Sequence, residues 1–95
     1  MYSVEQLRPI VSGIAAAMPI SLVLLVGSYA KGAATENSDV DLVVDGRDLS
    51  EAYWDFLFRV EDALTVPVDV MTRKSLDRSI LKDDILEGGV TLYEA

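Results

Sequence analysis

One stretch, Ile20-Ser21-Leu22-Val23-Leu24-Leu25-Val26, constrains this chain more than any other. It is dominated by branched apolar side chains and bounded by Pro19 and Gly27. A run of that kind predicts a strand buried on both faces, and so a place near the middle of a sheet. The wider apolar stretch from Ile14 to Val26 is broken by Pro19 and Ser21. It falls short of the roughly 20 residues a bilayer span requires. Glu5 and Arg8 stand where a secretory leader would carry a basic segment, which predicts a cytoplasmic location.

On either side of that strand the periodicity switches between 3.6 and 2. Leu7, Ile10, Val11, Ile14 and Met18 recur at helical spacing over residues 3–18, with Ser3 and Gln6 as a possible capping box. Pro9 leaves two starts open: a helix beginning near Arg8 with Pro9 in its first turn, or an earlier start kinked there. Gly27 to Ser38 predicts a short helical turn and a loop, and Asp39 to Val44 a second strand closed by Gly46. Asp48 and Glu51 suggest another capping box. The helix behind it carries Leu49, Ala52, Tyr53, Phe56, Leu57, Val60, Ala63 and Leu64 on one face, a stripe that core packing explains. A third strand is expected over Val66–Thr72, a helix over Leu76–Leu86 ended by Gly88-Gly89, and a last strand over Val90–Tyr93. Strands alternating with helices, without repeat or linker, predict an α/β fold. At 95 residues the length is that of one domain, 1–95.

Composition narrows the chemistry. Apolar residues make up 51% and charged residues 25%, which is globular usage. With no cysteine and no histidine, the chain has no disulfide, no thiolate or imidazole zinc site and no Ser-His-Asp triad. Catalysis must rest on carboxylates, hydroxyls, amines or a bound metal. A formal charge of −8 repels the phosphates of nucleic acids and anionic lipids, so neither is an expected partner. A free nucleotide would need divalent cations or a nest of backbone N–H groups to reverse the local sign.

The carboxylates supply such a place. Asp39 and Asp41 lie two apart on the expected strand, so the pleat sends both to one face while Val40 and Leu42 take the other. Asp69 interrupts the apolar sequence of the third strand, and a charge in a sheet interior is costly without a partner. Pairing the second and third strands would bring it onto the same face. Clustered carboxylates repel unless a cation sits among them, and hard oxygen donors select Mg²⁺ or Mn²⁺. Upstream, Gly27-Ser28 follows a buried strand and opens a short helical segment, where glycine allows close approach and free N–H groups can face a phosphate. Lys31 reads equally as a phosphate neutraliser or a solvated lysine. Neither Gly-x-x-x-x-Gly-Lys-Ser/Thr nor Gly-x-Gly-x-x-Gly is present.

Gly27-Ser28, ten intervening residues and Asp39-Val40-Asp41, within GSYAKGAATENSDVDLVV, closely resemble the signature of polymerase-beta superfamily nucleotidyltransferases, especially the minimal branch. The leading helix, the VDVMT strand and the closing Glu87-Gly88-Gly89-Val90-x-Leu92-Tyr93-Glu94 segment are similar as well. The resemblance implies a mixed sheet of about four strands flanked by helices. It implies that Gly27 and Ser28 hold the nucleotide, that Asp39 and Asp41 ligate metal, normally two Mg²⁺ ions, and that Asp69 completes the site. It also places Lys31 with the nucleotide, where many relatives carry arginine and lysine offers a point charge without the bidentate fork. The implied reaction moves AMP from ATP to a hydroxyl.

Larger relatives bind the acceptor with an added helical domain, for which residues 1–95 leave no room. The resemblance to the minimal branch therefore implies a HEPN-family ribonuclease toxin as partner, adenylylated on a tyrosine, with this chain as antitoxin. Two alternatives stand beside it: adenylylation of a small cationic acceptor such as an aminoglycoside, and neutralisation of a partner by binding alone.

Overall fold

β1 (Ile20–Val26) occupies an interior position in a four-stranded sheet of order β3-β2-β1-β4, with β2 spanning Val40–Gly46, β3 Val68–Thr72 and β4 Val90–Glu94. This is a computed structural model, and it describes residues 1–95. β1 runs antiparallel to both β2 and β4, while β2 and β3 are parallel, so the sheet is mixed and the class α/β.

The two faces of the sheet have different cover. On one, Val23, Leu25, Val40, Leu42, Val44, Val70 and Leu92 meet Leu7, Val11 and Ala15 of α1 (Val4–Ala15). Phe56 and Val60 of α3 (Leu49–Ala63) complete that cluster together with Ile20, Tyr29 and Leu64. Full burial of side chains this size contributes about 1.5–3 kcal/mol each. On the other face Val26 and Val43 pack with Leu76 of α4 (Arg73–Asp77) and the partly buried Ile85 and Leu86 of α5 (Lys82–Leu86). This second cluster holds only three fully buried residues, which leaves room on that face for a cavity.

Several elements depart from the sequence reading. α1 begins at Val4 and runs through Pro9, because Ser3 and Gln6 close a full capping box upstream: Gln6 N–H donates to Ser3 Oγ at 3.1 Å and Ser3 N–H to Gln6 Oε1 at 2.9 Å. That settles the choice of starts in favour of the earlier one. The second capping box does not form. Asp48 adopts a left-handed backbone (φ 54°), and its carboxylate accepts the Ser50 hydroxyl at 3.4 Å instead of an α3 N–H. The helix expected over Leu76–Leu86 is two short helices. Thr72 caps α4 by accepting from Ser75 N–H, and the Ser79 hydroxyl accepts the Leu81 N–H at 3.1 Å. A serine that bonds its local backbone in this way competes with helix continuation. β3 is shorter than residues 66–72, and β2 starts one residue after Asp39.

Candidate active site

Strand register builds the site. In the parallel pair Asp41 lies opposite Asp69, and in the antiparallel pair it lies opposite Val26, the last residue of β1. Neighbouring strands lie about 4.8 Å apart, so Asp41 and Asp69 stand side by side on the face that carries Val43. A hydrogen bond from Val40 N–H to the Pro67 carbonyl at 2.9 Å sets the two strand starts level. Asp39 sits just before β2 and is exposed. The turn ahead of it is held by the Ser38 hydroxyl, which accepts the Thr35 N–H at 2.8 Å.

Asp69 does not lie in a sheet interior, contrary to the expectation from its apolar flanks. β3 is the edge of the sheet and Asp69 is exposed, so burial does not explain its presence; register does. The strained carboxylate is Asp41. Half-burial, followed by the charges of Asp69 and then Asp39, holds its carboxyl above the ordinary aspartate value. Both other acids are therefore close enough to repel it. No three acidic side chains are drawn together into a ready cage. The oxygen donors suit a hard divalent cation: Asp41 and Asp69 stand side by side on adjacent strands, and Asp39 is near enough to act on Asp41.

Gly27 explains the start of α2 (Gly27–Ala30). Its φ is +74°, and a side-chain carbon there would collide with Asp41 Oδ2. Glycine thus lets the β1–α2 turn close directly over the carboxylate. A cavity of about 240 Å³ opens at this point, lined by Gly27, Lys31, Asp41, Asp69, Met71 and Asp84 among others. Ser28, partly buried on α2, and Asp39 lie outside its lining. Lys31 does reach the cavity, and its stem passes over Gly88, where an added carbon would sit 3.2 Å from Lys31 Cγ. Sequence reasoning missed Asp84 and Ile85. Two acids, Asp83 and Asp84, in the first turn of a new helix were the available signal, hidden by the assumption of one continuous helix. A larger cavity, about 530 Å³, lies at the outer edge of β3 and lacks Gly27, Lys31 and Asp41.

The family model for the nucleotidyltransferase domain matches residues 4–92. The chain is a nucleotidyltransferase-domain protein. Within that family it is 32% identical over 72 residues to a Methanocaldococcus jannaschii protein provisionally named a protein adenylyltransferase, covering 72% of each chain. Among solved structures, a toxin–antitoxin complex with AMP-PNP superposes with a TM-score of 0.72 at 23% identity, over 93% of this chain and 73% of the other. A Shewanella oneidensis complex of a tri-AMPylated HEPN toxin with its MNT antitoxin gives a TM-score of 0.69 at 21% identity, over 97% and 73%. These likenesses establish the fold of a minimal nucleotidyltransferase, and the family match makes the chain a nucleotidyltransferase.

Proposed function

We propose that residues 1–95 form one minimal domain that transfers AMP from ATP to a tyrosine hydroxyl of a HEPN-family toxin, and so acts as its antitoxin. The observation that carries this reading is the register that sets Asp41 beside Asp69 under Gly27, with Asp39 close enough to raise the Asp41 pKa. The 32% identical relative named as a protein adenylyltransferase supports the protein acceptor.

Each residue takes a role from its position. Gly27 gives the triphosphate access to the carboxylates, Ser28 offers a hydroxyl donor at the same turn, and Lys31 neutralises phosphate charge. Asp39, Asp41 and Asp69 would hold Mg²⁺, with Mn²⁺ also suited, which supplies charge neutralisation for the phosphates and the departing pyrophosphate. The acceptor oxygen attacks the α-phosphorus, the bond from that phosphorus to the oxygen bridging to the β-phosphate breaks, and pyrophosphate leaves. The acceptor proton passes to Asp69, whose carboxylate is exposed at the sheet edge beside Asp41.

The test uses ATP labelled separately on the α and γ phosphates, incubated with Mg²⁺, this protein and the HEPN protein. α-Label appearing on the HEPN protein, with the Asp39→Asn, Asp41→Asn variant inactive, is the expected outcome. A stable complex that neutralises the toxin without transfer of label would replace this reading with binding alone.

A further inference from the structure

We propose that the cavity at the outer edge of β3 seats the acceptor tyrosine, and that Trp54 and Phe58 beside it dock the basic segment that carries it. This rests on the nucleotidyltransferase reading above and adds the place where the second substrate enters. The two cavities share Asp69 and Met71, so Asp69 stands where they meet. A nucleotide on the Gly27 side and an acceptor on the α3 side would thus both face Asp69.

The lining suits that acceptor. At about 530 Å³ the cavity is within the range of small-molecule sites, large enough for an aromatic ring and the backbone beside it. Its walls present Leu49, Tyr53 and Met71 to a ring, and its other side chains include the neutral hydroxyls of Ser50, Thr72 and Ser75. Asp69 is the only charged residue among them. A polyamine sugar needs several carboxylates to offset its ammonium groups, and a polyphosphate needs cations; neither set is present. The wall is also fixed. The Tyr53 hydroxyl donates to the Val70 carbonyl at 2.6 Å, tying α3 to the sheet edge.

The surface outside the cavity continues the argument. Ser50, Trp54 and Phe58 recur every fourth residue on α3, so the cavity rim leads onto an aromatic pair. Trp54 and Phe58 are 56% and 61% exposed, with ring centroids 6.2 Å apart. An exposed aromatic pair of this kind has the composition of an interface hot spot. Glu51, Asp55, Glu61 and Asp62 are exposed on the same helix, with Arg59 already paired to Asp55 at 3.0 Å. Basic residues flanking the tyrosine would complement them. The phenolic oxygen bonds to the α-phosphorus, pyrophosphate departs with the bridging oxygen, and the phenolic proton goes to Asp69, leaving a tyrosyl-AMP phosphodiester.

Two variants test this, with the full chain, α-labelled ATP and the HEPN protein as acceptor. Ser50→Trp fills the rim from an exposed helix position; it should keep ATP affinity, which also reports correct folding, and lower transfer by about tenfold or more. Trp54→Ala with Phe58→Ala should raise KM for the HEPN protein about tenfold with little change in kcat. Mass spectrometry should place AMP on tyrosine. Wild-type transfer undiminished by Ser50→Trp would overturn the acceptor seat alone. Label on serine, threonine or added kanamycin would overturn the phenolic class. If the wild-type protein labels no acceptor, the nucleotidyl-transfer reading falls and this proposal with it.

Discussion

At the scale of single residues, Gly27 and Asp41 act as one unit, since the first can carry no side chain without striking the second. Gly32 offers a matched control: its φ is +72°, yet a side-chain carbon there meets nothing within 4 Å. Gly32→Ala should therefore lose only the left-handed backbone penalty of about 1–2 kcal/mol. Gly27→Ala should lose more in denaturant melts and abolish ATP binding, and equal losses would show that the turn does not close on Asp41. Asp41 also gives a pH signature. Its pKa is raised in the fold, so its contribution to stability is greatest below the unfolded value and declines as pH rises through the folded one. In chelator, Asp41→Asn should melt above wild type, by a margin that grows from acid to neutral pH and stays within a few degrees because solvent screens the exposed half of the group. Tyr29 is a different case. Its ring is buried in the main core, but its hydroxyl has no hydrogen-bond partner. Tyr29→Phe should be neutral or stabilising by up to about 1 kcal/mol in the same melts, and a clear loss would reveal a bound water on that oxygen.

At the scale of elements, what was legible in the sequence was whatever followed from periodicity. β1 between Pro19 and Gly27 was fixed to the residue, because an apolar run with sharp breakers at both ends has one reading. The β2–β3 pairing that aligns Asp41 with Asp69 was legible only as a possibility, since register depends on contacts between strands and not on either strand alone. The segment after β3 was misread because Leu76, Ile85 and Leu86 satisfy a helical pattern while the hydroxyl of Ser79 decides the backbone. What joins the two short helices is ionic: Asp77 of α4 accepts from Lys82 Nζ of α5 at 2.9 Å, and from Arg73 Nε of its own helix at 3.4 Å. Those contacts, led by the Lys82 hydrogen bond, hold the Asp77 carboxyl below its ordinary value. The sign is opposite to that of Asp41: the stabilisation is present above the unfolded pKa and is lost as pH falls through the folded one. Asp77→Asn should speed amide exchange across residues 78–86 at neutral pH, with the difference vanishing in acid and shrinking in high salt. Because α5 supplies Asp84 and Ile85 to the cavity beside Gly27, the same variant tests whether that wall must be held still.

At the scale of the molecule, charge and shape assign different tasks to different faces. The sheet buries its larger apolar cluster under α1 and α3, whereas the carboxylates sit on the thinner face beside α4 and α5. No helix is long and apolar enough to cross a membrane, and the surplus of eight negative charges gives the surface a field that repels phosphate and attracts basic protein. On the proposed function, ATP bound under such a field needs its charge offset locally, the part proposed above for Lys31, the backbone at Gly27 and a divalent cation. The same field would favour the proposed nuclease partner, whose surface must be basic to hold RNA. Encounter between them is then steered, and steering between exposed charges is screened over about 10 Å at 0.1 M salt. The association rate with the HEPN protein should accordingly fall by about tenfold or more between roughly 0.05 and 0.5 M salt, while the dissociation rate, set by short-range packing at Trp54 and Phe58, should change little. Stopped-flow mixing across that range measures both. A flat association rate would mean that the acidic surface serves solubility alone, and that recognition rests on the aromatic contact without long-range guidance.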